Sequence, residues 1–162
     1  MSTNQHPNLI QMDFVFHTTN FLYFAMPLIQ GGDLYLLHQK YRQFSEETVL
    51  FYAVQIIDGI GCLHKNNIIH RDLKLENVLV DQEGYLTLID FGISKKVEQG
   101  EAAETVCGSL EYMSPEQVRQ GKYNRTVDWW AVGILMYELL IGISPFRIGN
   151  INMGSTEYER KV

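Results

Sequence analysis

The sequence His-Arg-Asp-Leu-Lys-Leu-Glu-Asn at residues 70–77, together with Asp-Phe-Gly at residues 90–92, decides the fold of this chain. Residues 77–80 and 85–89 between them are strand-like apolar runs, separated by a polar four-residue turn that ends in glycine. This pattern predicts a β-hairpin. Because hairpin strands pair antiparallel, Asn77 at the start of the first strand and Asp90 after the second should lie at the same end.

Four polar side chains in this stretch have the chemistry of a phosphate-transfer site. The amide oxygen of Asn77 and the carboxylate of Asp90 are hard oxygen ligands, which Mg²⁺ takes together with water and substrate phosphate. Asp72 could accept a proton from an attacking hydroxyl, and Lys74 could neutralise phosphate charge. We therefore expect Asp72 and Lys74 to be catalytic, and Asn77 and Asp90 to bind the metal. The alternative is that all four are ordinary polar loop residues with no role in catalysis or metal binding.

The chain resembles eukaryotic-type protein kinases at five motifs that follow one another in the family's order. Two are the stretch at residues 70–77, the catalytic loop of the family, and Asp-Phe-Gly at residues 90–92. The others are Cys-Gly-Ser-Leu-Glu-Tyr at residues 107–112, Ser-Pro-Glu at residues 114–116 and Val-Asp-Trp-Trp-Ala-Val-Gly at residues 127–133. The run at residues 107–112 and the tryptophan pair are most similar to the AGC group of serine/threonine kinases.

The resemblance implies an α+β fold of the protein-kinase type, built mainly from the helical large lobe. Residues 1–27 correspond to a remnant of the small lobe with its fourth and fifth strands. Residues 28–162 correspond to a large lobe that is incomplete at its C-terminal end. No glycine-rich loop precedes residue 12, and the strand lysine and helix glutamate of the small lobe are not found. We therefore expect a kinase domain truncated at both ends.

A second hairpin and a linker are predicted before the first helix. Residues 12–16 and 21–26 are aromatic-rich runs that flank His-Thr-Thr-Asn at residues 17–20. Residues 27–32 contain a proline and two glycines, so they cannot continue a strand or helix throughout. In the family this linker is the hinge that contacts adenine. By resemblance, the nucleotide-binding positions are Met26, Pro27, Ile29, Asp33 and Leu79. Asp33 is equally expected to cap the helix that follows it.

Local signals also predict two long helices. Ser45 caps a core helix with apolar residues at helical spacing, which ends at residues 66–67. Thr126 is expected to cap a helix over residues 127–141 that is apolar almost all round, which predicts burial on every side. Gly142 should end that helix.

Residues 93–111 are polar and small, as in a mobile loop, and resemble the activation segment of the family. Thr105 lies near the family's regulatory phosphosite. Arg71 has five hydrogen-bond donors and would hold a phosphate there, together with Lys95. Ser109 corresponds to the residue that hydrogen-bonds the catalytic aspartate and lysine in serine/threonine kinases. A surface cation is the alternative interpretation of Arg71.

Two further groups of residues are assigned by resemblance. The residues expected to be structural are His70, Phe91, Glu116 and Asp128. Asp128 lies in an apolar helix, so its carboxylate needs hydrogen-bond partners, and the family precedent is the backbone of the catalytic loop. Glu76 and Glu138 match acidic positions that face basic substrates in relatives, although Glu76 could equally be a solvated loop acid.

Composition fits a globular intracellular domain. The 162 residues are 46% hydrophobic and 20% charged, and a net charge of −6 argues against a broad nucleic-acid or membrane surface. Cys62 and Cys107 do not make a disulfide framework, so we expect a reducing, cytoplasmic setting. The most apolar run falls short of the roughly 18–20 residues that a membrane span requires.

These features predict a serine/threonine protein kinase that transfers the γ-phosphoryl group of ATP to a protein hydroxyl with Mg²⁺. The spacing between Asp72 and Lys74 favours serine/threonine over tyrosine. Expected partners are ATP and protein substrates with basic residues near the acceptor, and the resemblance also allows an upstream activating kinase. The alternatives are a small-molecule phosphotransferase of related fold, and an inactive fragment or pseudokinase that acts as an interaction module. We expect residues 1–162 alone to be inactive, because half of the nucleotide site is not encoded in them.

Overall fold

The computed structural model of the protein describes residues 6–98 and 101–146. Within these ranges the chain forms three two-stranded antiparallel sheets and four α-helices, in agreement with the predicted α+β class. The strands are β1 (Phe14–His17), β2 (Leu22–Ala25), β3 (Ile68–Ile69), β4 (Val78–Val80), β5 (Leu86–Leu88) and β6 (Lys95–Lys96). The α-helices are α1 (Leu34–Tyr41), α2 (Glu46–Lys65), α3 (Pro115–Val118) and α4 (Thr126–Ile141), and 3₁₀ turns cover Leu75–Asn77 and Leu110–Tyr112.

The predicted N-terminal hairpin is present, with strand ends that differ by one or two residues from those expected. β1 and β2 pair with Phe14 opposite Ala25 and His17 opposite Leu22. In the turn, the Thr18 hydroxyl accepts a hydrogen bond from the Phe21 N–H at 3.2 Å. All of β1 and most of β2 are exposed. The hairpin therefore adds little to the core of the described structure.

Helices α1 and α2 begin at the predicted caps. The Asp33 carboxylate accepts a hydrogen bond from the Leu36 N–H at 2.7 Å, and the Ser45 hydroxyl accepts one from the Thr48 N–H at 3.2 Å. Such bonds satisfy N–H groups that the first turn of a helix leaves without partners. Helix α2 ends before Asn66, as predicted. The capping role of Asp33 is therefore confirmed.

The core lies between α2, α4 and the β4–β5 hairpin. Val78 pairs with Leu88 across the hairpin, and the segment before β1 runs beside it, with the Ile10 N–H donating to the Leu88 carbonyl oxygen at 2.9 Å. Buried residues that these elements bring together include Val49, Ile56, Ile60, Leu63, Val78, Val80, Leu86, Leu88, Leu135 and Leu139. This packing fixes the position of the hairpin end where Asn77 leads into β4.

Helix α4 differs from the prediction in its cap and in its surface. Arg125, not Thr126, is the N-cap residue, and the Thr126 N–H donates to the Asn124 side-chain oxygen at 2.9 Å. Gly142 ends the helix with φ 88°, as predicted. The expectation of burial all round is wrong, because the described elements pack against one side only. An apolar stripe, here called the α4 stripe, remains between 38% and 46% exposed and consists of Trp129, Tyr137, Leu140 and Ile141.

Among the described residues, no helix has both the length and the apolar character needed to cross a membrane. The predicted domain limits at residues 1 and 162 lie outside the described residues. The predicted boundary between residues 27 and 28 falls in the linker between β2 and α1, and the assignment of the two parts to separate lobes stays a prediction.

Candidate active site

Asp72, Lys74, Asn77 and Ser109 form one hydrogen-bonded cluster. The Ser109 hydroxyl donates to Asp72 Oδ1 at 2.9 Å and accepts a hydrogen bond from Lys74 Nζ at 3.1 Å. Lys74 Nζ also lies 3.0 Å from Asp72 Oδ2. The Asn77 amide nitrogen donates to the Asp72 carbonyl oxygen at 2.7 Å and to Oδ2 at 3.0 Å. Three side chains from two separate segments thus fix the orientation of one carboxylate.

The environment of Asp72 favours its ionised form. Burial opposes ionisation, but hydrogen bonds from Lys74 and Ser109, the charge of Lys74 and the hydrogen bond from Asn77 outweigh it and lower the pKa of Asp72. The Asp72 side chain is 11% exposed. A fixed, ionised carboxylate with some access to solvent can orient a hydroxyl group and accept its proton.

Gly108 allows the segment that carries Ser109 to approach the catalytic loop. Its φ is 106°, which side chains other than glycine rarely adopt. A Cβ at this position would lie 2.5 Å from the Arg71 carbonyl oxygen. Both the backbone angle and the close approach therefore require glycine next to Ser109.

Asp128 on α4 holds the start of the catalytic loop. Its Oδ2 accepts a hydrogen bond from the His70 N–H at 2.9 Å, and its Oδ1 accepts one from the Arg71 N–H at 3.0 Å. His64 Nε2 lies 2.7 Å from Oδ2. Since Asp128 is 1% exposed, these three contacts supply the partners that a buried carboxylate needs. The contact with the loop backbone is the one that the resemblance implied. The sequence indicated only a charge at the end of α2 for His64, and its contact with Asp128, 64 residues away, was not predicted.

His70 is a core residue, as expected. It is fully buried, and its ring lies edge-on to Phe91 with centroids 5.3 Å apart. The Asp72 N–H donates to His70 Nδ1 at 3.3 Å, so Nε2 carries the proton and donates to the Ile89 carbonyl oxygen at 3.2 Å. Burial lowers the pKa of His70, although Asp128 and the Ile89 carbonyl act in the opposite direction. A neutral imidazole whose two nitrogens are both engaged is not a candidate base.

Asn77 and Asp90 lie at the same end of the β4–β5 hairpin, as predicted. The Ile89 N–H donates to the Asn77 carbonyl oxygen at 3.0 Å, which extends the pairing to the residue before Asp90. Asp90 is exposed, has φ 62°, and accepts a hydrogen bond from the Gly92 N–H at 3.1 Å. Because Asn77 uses its amide nitrogen for Asp72, its side-chain oxygen is left for another partner. Both residues carry the hard oxygen groups that Mg²⁺ takes, and binding of the ion by Asn77 and Asp90 stays a prediction.

The linker before α1 contacts β4 through its backbone. The Val80 N–H donates to the Gly32 carbonyl oxygen at 2.8 Å, and Asp33 forms an antiparallel bridge with Leu79. Gly31 approaches so closely that a Cβ there would lie 2.1 Å from the Val80 carbonyl oxygen. The close approach of the linker to β4 therefore explains why residue 31 is a glycine.

The five predicted nucleotide positions fall into two groups. Asp33 and Leu79 are half-buried and adjacent, and Ile29 is half-buried in the linker. Met26 and Pro27 are exposed just beyond the end of β2. Contact of these five residues with a nucleotide stays a prediction.

Arg71 connects the catalytic loop to the activation segment. It has φ 70°, and its Nε donates to the Ile93 carbonyl oxygen at 2.6 Å. Its Nη1 lies 3.4 Å from the Tyr123 hydroxyl, which donates to the Thr105 carbonyl oxygen at 2.6 Å. Thr105 itself is exposed, and Lys95 lies in β6. Sequence reasoning missed Tyr123, because a single tyrosine before α4 belongs to none of the motifs.

Glu138 and Glu76 differ in exposure. Glu138 is 9% exposed, and its Oε2 accepts a hydrogen bond from the Tyr112 hydroxyl at 2.5 Å. Burial raises the pKa of Glu138, while the hydrogen bond from Tyr112 and the nearby His38 act in the opposite direction. Glu76 is exposed. The predicted substrate-facing pair is therefore one surface acid and one interior acid.

Glu116 lies in the short helix α3, which a capping box begins. The Ser114 N–H donates to the Gln117 side-chain oxygen at 3.0 Å. The Glu116 carbonyl oxygen accepts a hydrogen bond from the Gly121 N–H at 2.9 Å. Its side chain is half-buried, and the expected structural role of that side chain stays a prediction.

Comparison with known proteins shows that the chain is similar in sequence to protein kinases. A family model described as "Protein kinase domain" matches residues 1–161. The chain is 46% identical over 143 residues to a putative protein kinase C delta type homolog of Drosophila melanogaster. Over the same length it is 44% identical to serine/threonine-protein kinase Sgk1-A of Xenopus laevis and 43% identical to serine/threonine-protein kinase Sgk1 of Homo sapiens. These matches cover 88% of the chain and 21%, 33% and 33% of the respective relatives, so the chain spans a third or less of their length.

Proposed function

The chain belongs to the protein kinase domain family, and from that premise we propose that it supplies the catalytic core of a serine/threonine protein kinase. The reaction is transfer of the γ-phosphoryl group of ATP to a serine or threonine hydroxyl of a protein. The observation that carries the proposal is the cluster of Asp72, Lys74 and Ser109, in which a carboxylate and an ammonium group share one hydroxyl partner. A base and a cation held this way suit an acceptor hydroxyl and a phosphoryl group.

Asp72 is the proposed base. As the substrate oxygen attacks the γ-phosphorus, its proton passes to the Asp72 carboxylate, and the bond to the bridging oxygen of ADP breaks. Lys74 would neutralise charge on the group in transfer, because its Nζ lies 3.0 Å from the Asp72 carboxylate and so close to the reacting atoms. Ser109 holds both side chains and is a positioning residue.

Protein kinases use ATP with Mg²⁺, which neutralises the charge of the nucleotide phosphates. The side-chain oxygens of Asn77 and Asp90 would hold that ion, since both are hard ligands at one end of the hairpin. Leu79 and the linker positions Met26, Pro27 and Ile29 would contact adenine. The Asp33 carboxylate, which uses Oδ1 for the helix cap, would offer its other oxygen to the ribose.

Substrates with basic residues near the acceptor are proposed because Glu76 is an exposed acid within the catalytic loop. Phosphate on Thr105 would meet Arg71 and Lys95, which would order the activation segment. A cytoplasmic setting is proposed as well. Cys62 and Cys107 are both free thiols, as is usual where the surroundings are reducing.

A second candidate is a non-catalytic interaction module. It is favoured by the amount of exposed apolar surface on the β1–β2 hairpin and the α4 stripe, where large side chains reach 71% exposure at Phe14. Contiguous apolar surface of this kind marks an interaction site. Titration with Mg·ATP separates the two candidates once the missing small-lobe elements are restored, as in the chimaera described next, since only the enzyme needs to bind the nucleotide.

The proposal is tested in a chimaera in which the glycine-rich loop and strand lysine of a relative precede residue 1. Incorporation of labelled phosphate into an arginine-containing serine peptide is compared for the parent, Asp90→Asn and Glu83→Gln. Glu83 is an exposed acid in the turn of the β4–β5 hairpin, so it controls for loss of a charge. We expect Asp90→Asn alone to abolish transfer. Equal incorporation of phosphate by all three proteins would contradict the proposed active site.

A further inference from the structure

Tyr123, in the connection between α3 and α4, contacts the activation segment through both its backbone and its side chain. It forms an antiparallel bridge with Ala103. The Ala103 N–H donates to the Tyr123 carbonyl oxygen at 2.8 Å, and the Tyr123 N–H donates to the Ala103 carbonyl oxygen at 2.9 Å. Ala103 is fully buried, and Tyr123 is 3% exposed. The bridge therefore fixes the backbone of the segment shortly before Thr105.

The Tyr123 hydroxyl joins the activation segment to the catalytic loop. It donates to the Thr105 carbonyl oxygen at 2.6 Å and accepts a hydrogen bond from Arg71 Nη1 at 3.4 Å. Arg71 Nε donates to the Ile93 carbonyl oxygen at 2.6 Å, so the guanidinium group is held at two of its nitrogens. One hydroxyl group thus lies between the backbone of Thr105 and the cation proposed to bind a phosphate there.

The ring and the hydroxyl of Tyr123 have separate partners. The ring belongs to a small buried cluster, whose other members are Ile69, Val97, Ala103 and Val127. The hydroxyl contacts Thr105 and Arg71, and it lies 3.9 Å from the Cys107 sulfur. Phenylalanine at this position would keep the ring and the backbone bridge and lose only the contacts of the hydroxyl. The role of the hydroxyl can therefore be tested apart from that of the ring.

The charged groups next to Thr105 are compatible with a phosphate. Lys122 Nζ lies 3.4 Å from Glu104 Oε1, and both side chains are exposed. This ion pair offsets the negative charge adjacent to Thr105 and adds a further connection between the segment and the residue before Tyr123. Thr105 is exposed, so its side chain is accessible although its carbonyl oxygen is bonded.

We propose that Tyr123 is a positioning residue that docks Thr105 beside Arg71 before a phosphate is attached, so that the phosphate meets a cation already in place. This inference rests on the proposed phosphorylation of Thr105. A group that binds to donors already in position orders fewer side chains than one that binds to mobile donors. Contact with Arg71 should lower the second pKa of the phosphothreonine, which is about 6 without a partner. Loss of the Tyr123 hydroxyl should weaken that contact.

Phosphorus NMR of residues 1–162 with phosphothreonine installed at position 105 tests the inference without any need for catalysis. The pKa of the phosphate is compared for the parent chain, Tyr123→Phe, Arg71→Ala and Tyr85→Phe, the last as a control because Tyr85 is an exposed tyrosine. In the parent and Tyr85→Phe, we expect a second phosphate pKa about one unit below the usual value of about 6. Tyr123→Phe should raise this pKa by about half a unit, and Arg71→Ala should return it to about 6.

The variants distinguish the role of Tyr123 from that of Arg71. If the phosphate pKa is raised in Arg71→Ala but is no higher in Tyr123→Phe than in the parent, the inference is overturned and the contact between Arg71 and the phosphate stands. Equal phosphate pKa values in the parent and Arg71→Ala overturn that contact and this inference with it, while the proposed catalytic roles of Asp72 and Lys74 are unaffected. If Tyr123→Phe does not fold, 4-fluorophenylalanine at position 123, which fills the space of the hydroxyl but has no proton to donate, is read in the same way.

Discussion

At the scale of single residues, Asp72 has the most fully defined surroundings. Asp72→Asn should keep the size of the side chain but remove its ability to accept a proton. We expect kcat to fall by about a hundred- to ten-thousandfold in the chimaera with a complete small lobe, while ATP affinity stays within about twofold. Steady-state kinetics and nucleotide titration measure the two effects. Near-normal kcat would mean that Asp72 is not the base.

His70 should make stability depend on pH. Burial lowers the pKa of His70 in the folded chain, so the unfolded chain, with a histidine pKa of about 6.5, binds protons more readily. The free energy of unfolding should therefore be at its full value above about pH 7 and should fall as the pH drops below about 6.5. His70→Phe should remove this contribution to the pH dependence of the free energy of unfolding.

Urea denaturation at several pH values measures the His70 effect, with His17→Leu as the control because His17 is exposed. If His70→Phe and His17→Leu lose stability with falling pH to the same extent as wild type, His70 is not the group responsible.

At the scale of elements, the sequence predicted what depends on local signals. The caps at Asp33 and Ser45, the stop at Gly142 and both hairpins follow from residues within a few positions of each feature. The kinase family, inferred from the motifs, is confirmed by the family model, which matches residues 1–161. The serine/threonine class stays a prediction.

What could not be predicted depends on contacts between distant parts of the chain. The partnership of His64 with Asp128 and the position of Tyr123 between Arg71 and Thr105 exist only after α2, α4 and the activation segment have packed. The same reason explains the α4 stripe. Residue types indicate that a helix is apolar, but its exposed face depends on which elements cover it.

Helix α4 should stabilise the catalytic loop through Asp128. Asp128→Ala leaves the buried His70 N–H, the partly buried Arg71 N–H and the His64 ring without their partner, so we expect a loss of about 3–5 kcal/mol in the free energy of unfolding. Asp58→Ala is the matched control, since Asp58 is an exposed helix aspartate that pairs with His6. Denaturant unfolding measures both. A loss below about 1 kcal/mol for Asp128→Ala would contradict the role given to it.

At the scale of the whole molecule, the nucleotide would contact residues 1–162 from one side only. Phosphoryl transfer needs positioning and charge stabilisation around the whole nucleotide, and loss of one well-placed donor typically costs about a hundred- to a thousandfold in rate. We expect residues 1–162 alone to bind Mg·ATP very weakly and to show no turnover. Calorimetry and phosphate incorporation test this directly. Micromolar affinity with turnover that disappears in Asp90→Asn would mean that these residues suffice.

During synthesis, the contacts between Asp128 and the catalytic loop can form only well after the loop itself has been made. A ribosome adds His70 and Arg71 to the chain 58 and 57 residues before it adds Asp128, an interval of roughly 3–12 seconds at common translation rates. Until then the loop lacks the carboxylate that holds its two N–H groups. Nascent chains arrested before residue 128 should therefore be cut by protease within residues 70–77, whereas chains released after α4 is complete should resist. The part of the molecule proposed to perform the chemistry would be among the last to acquire its shape.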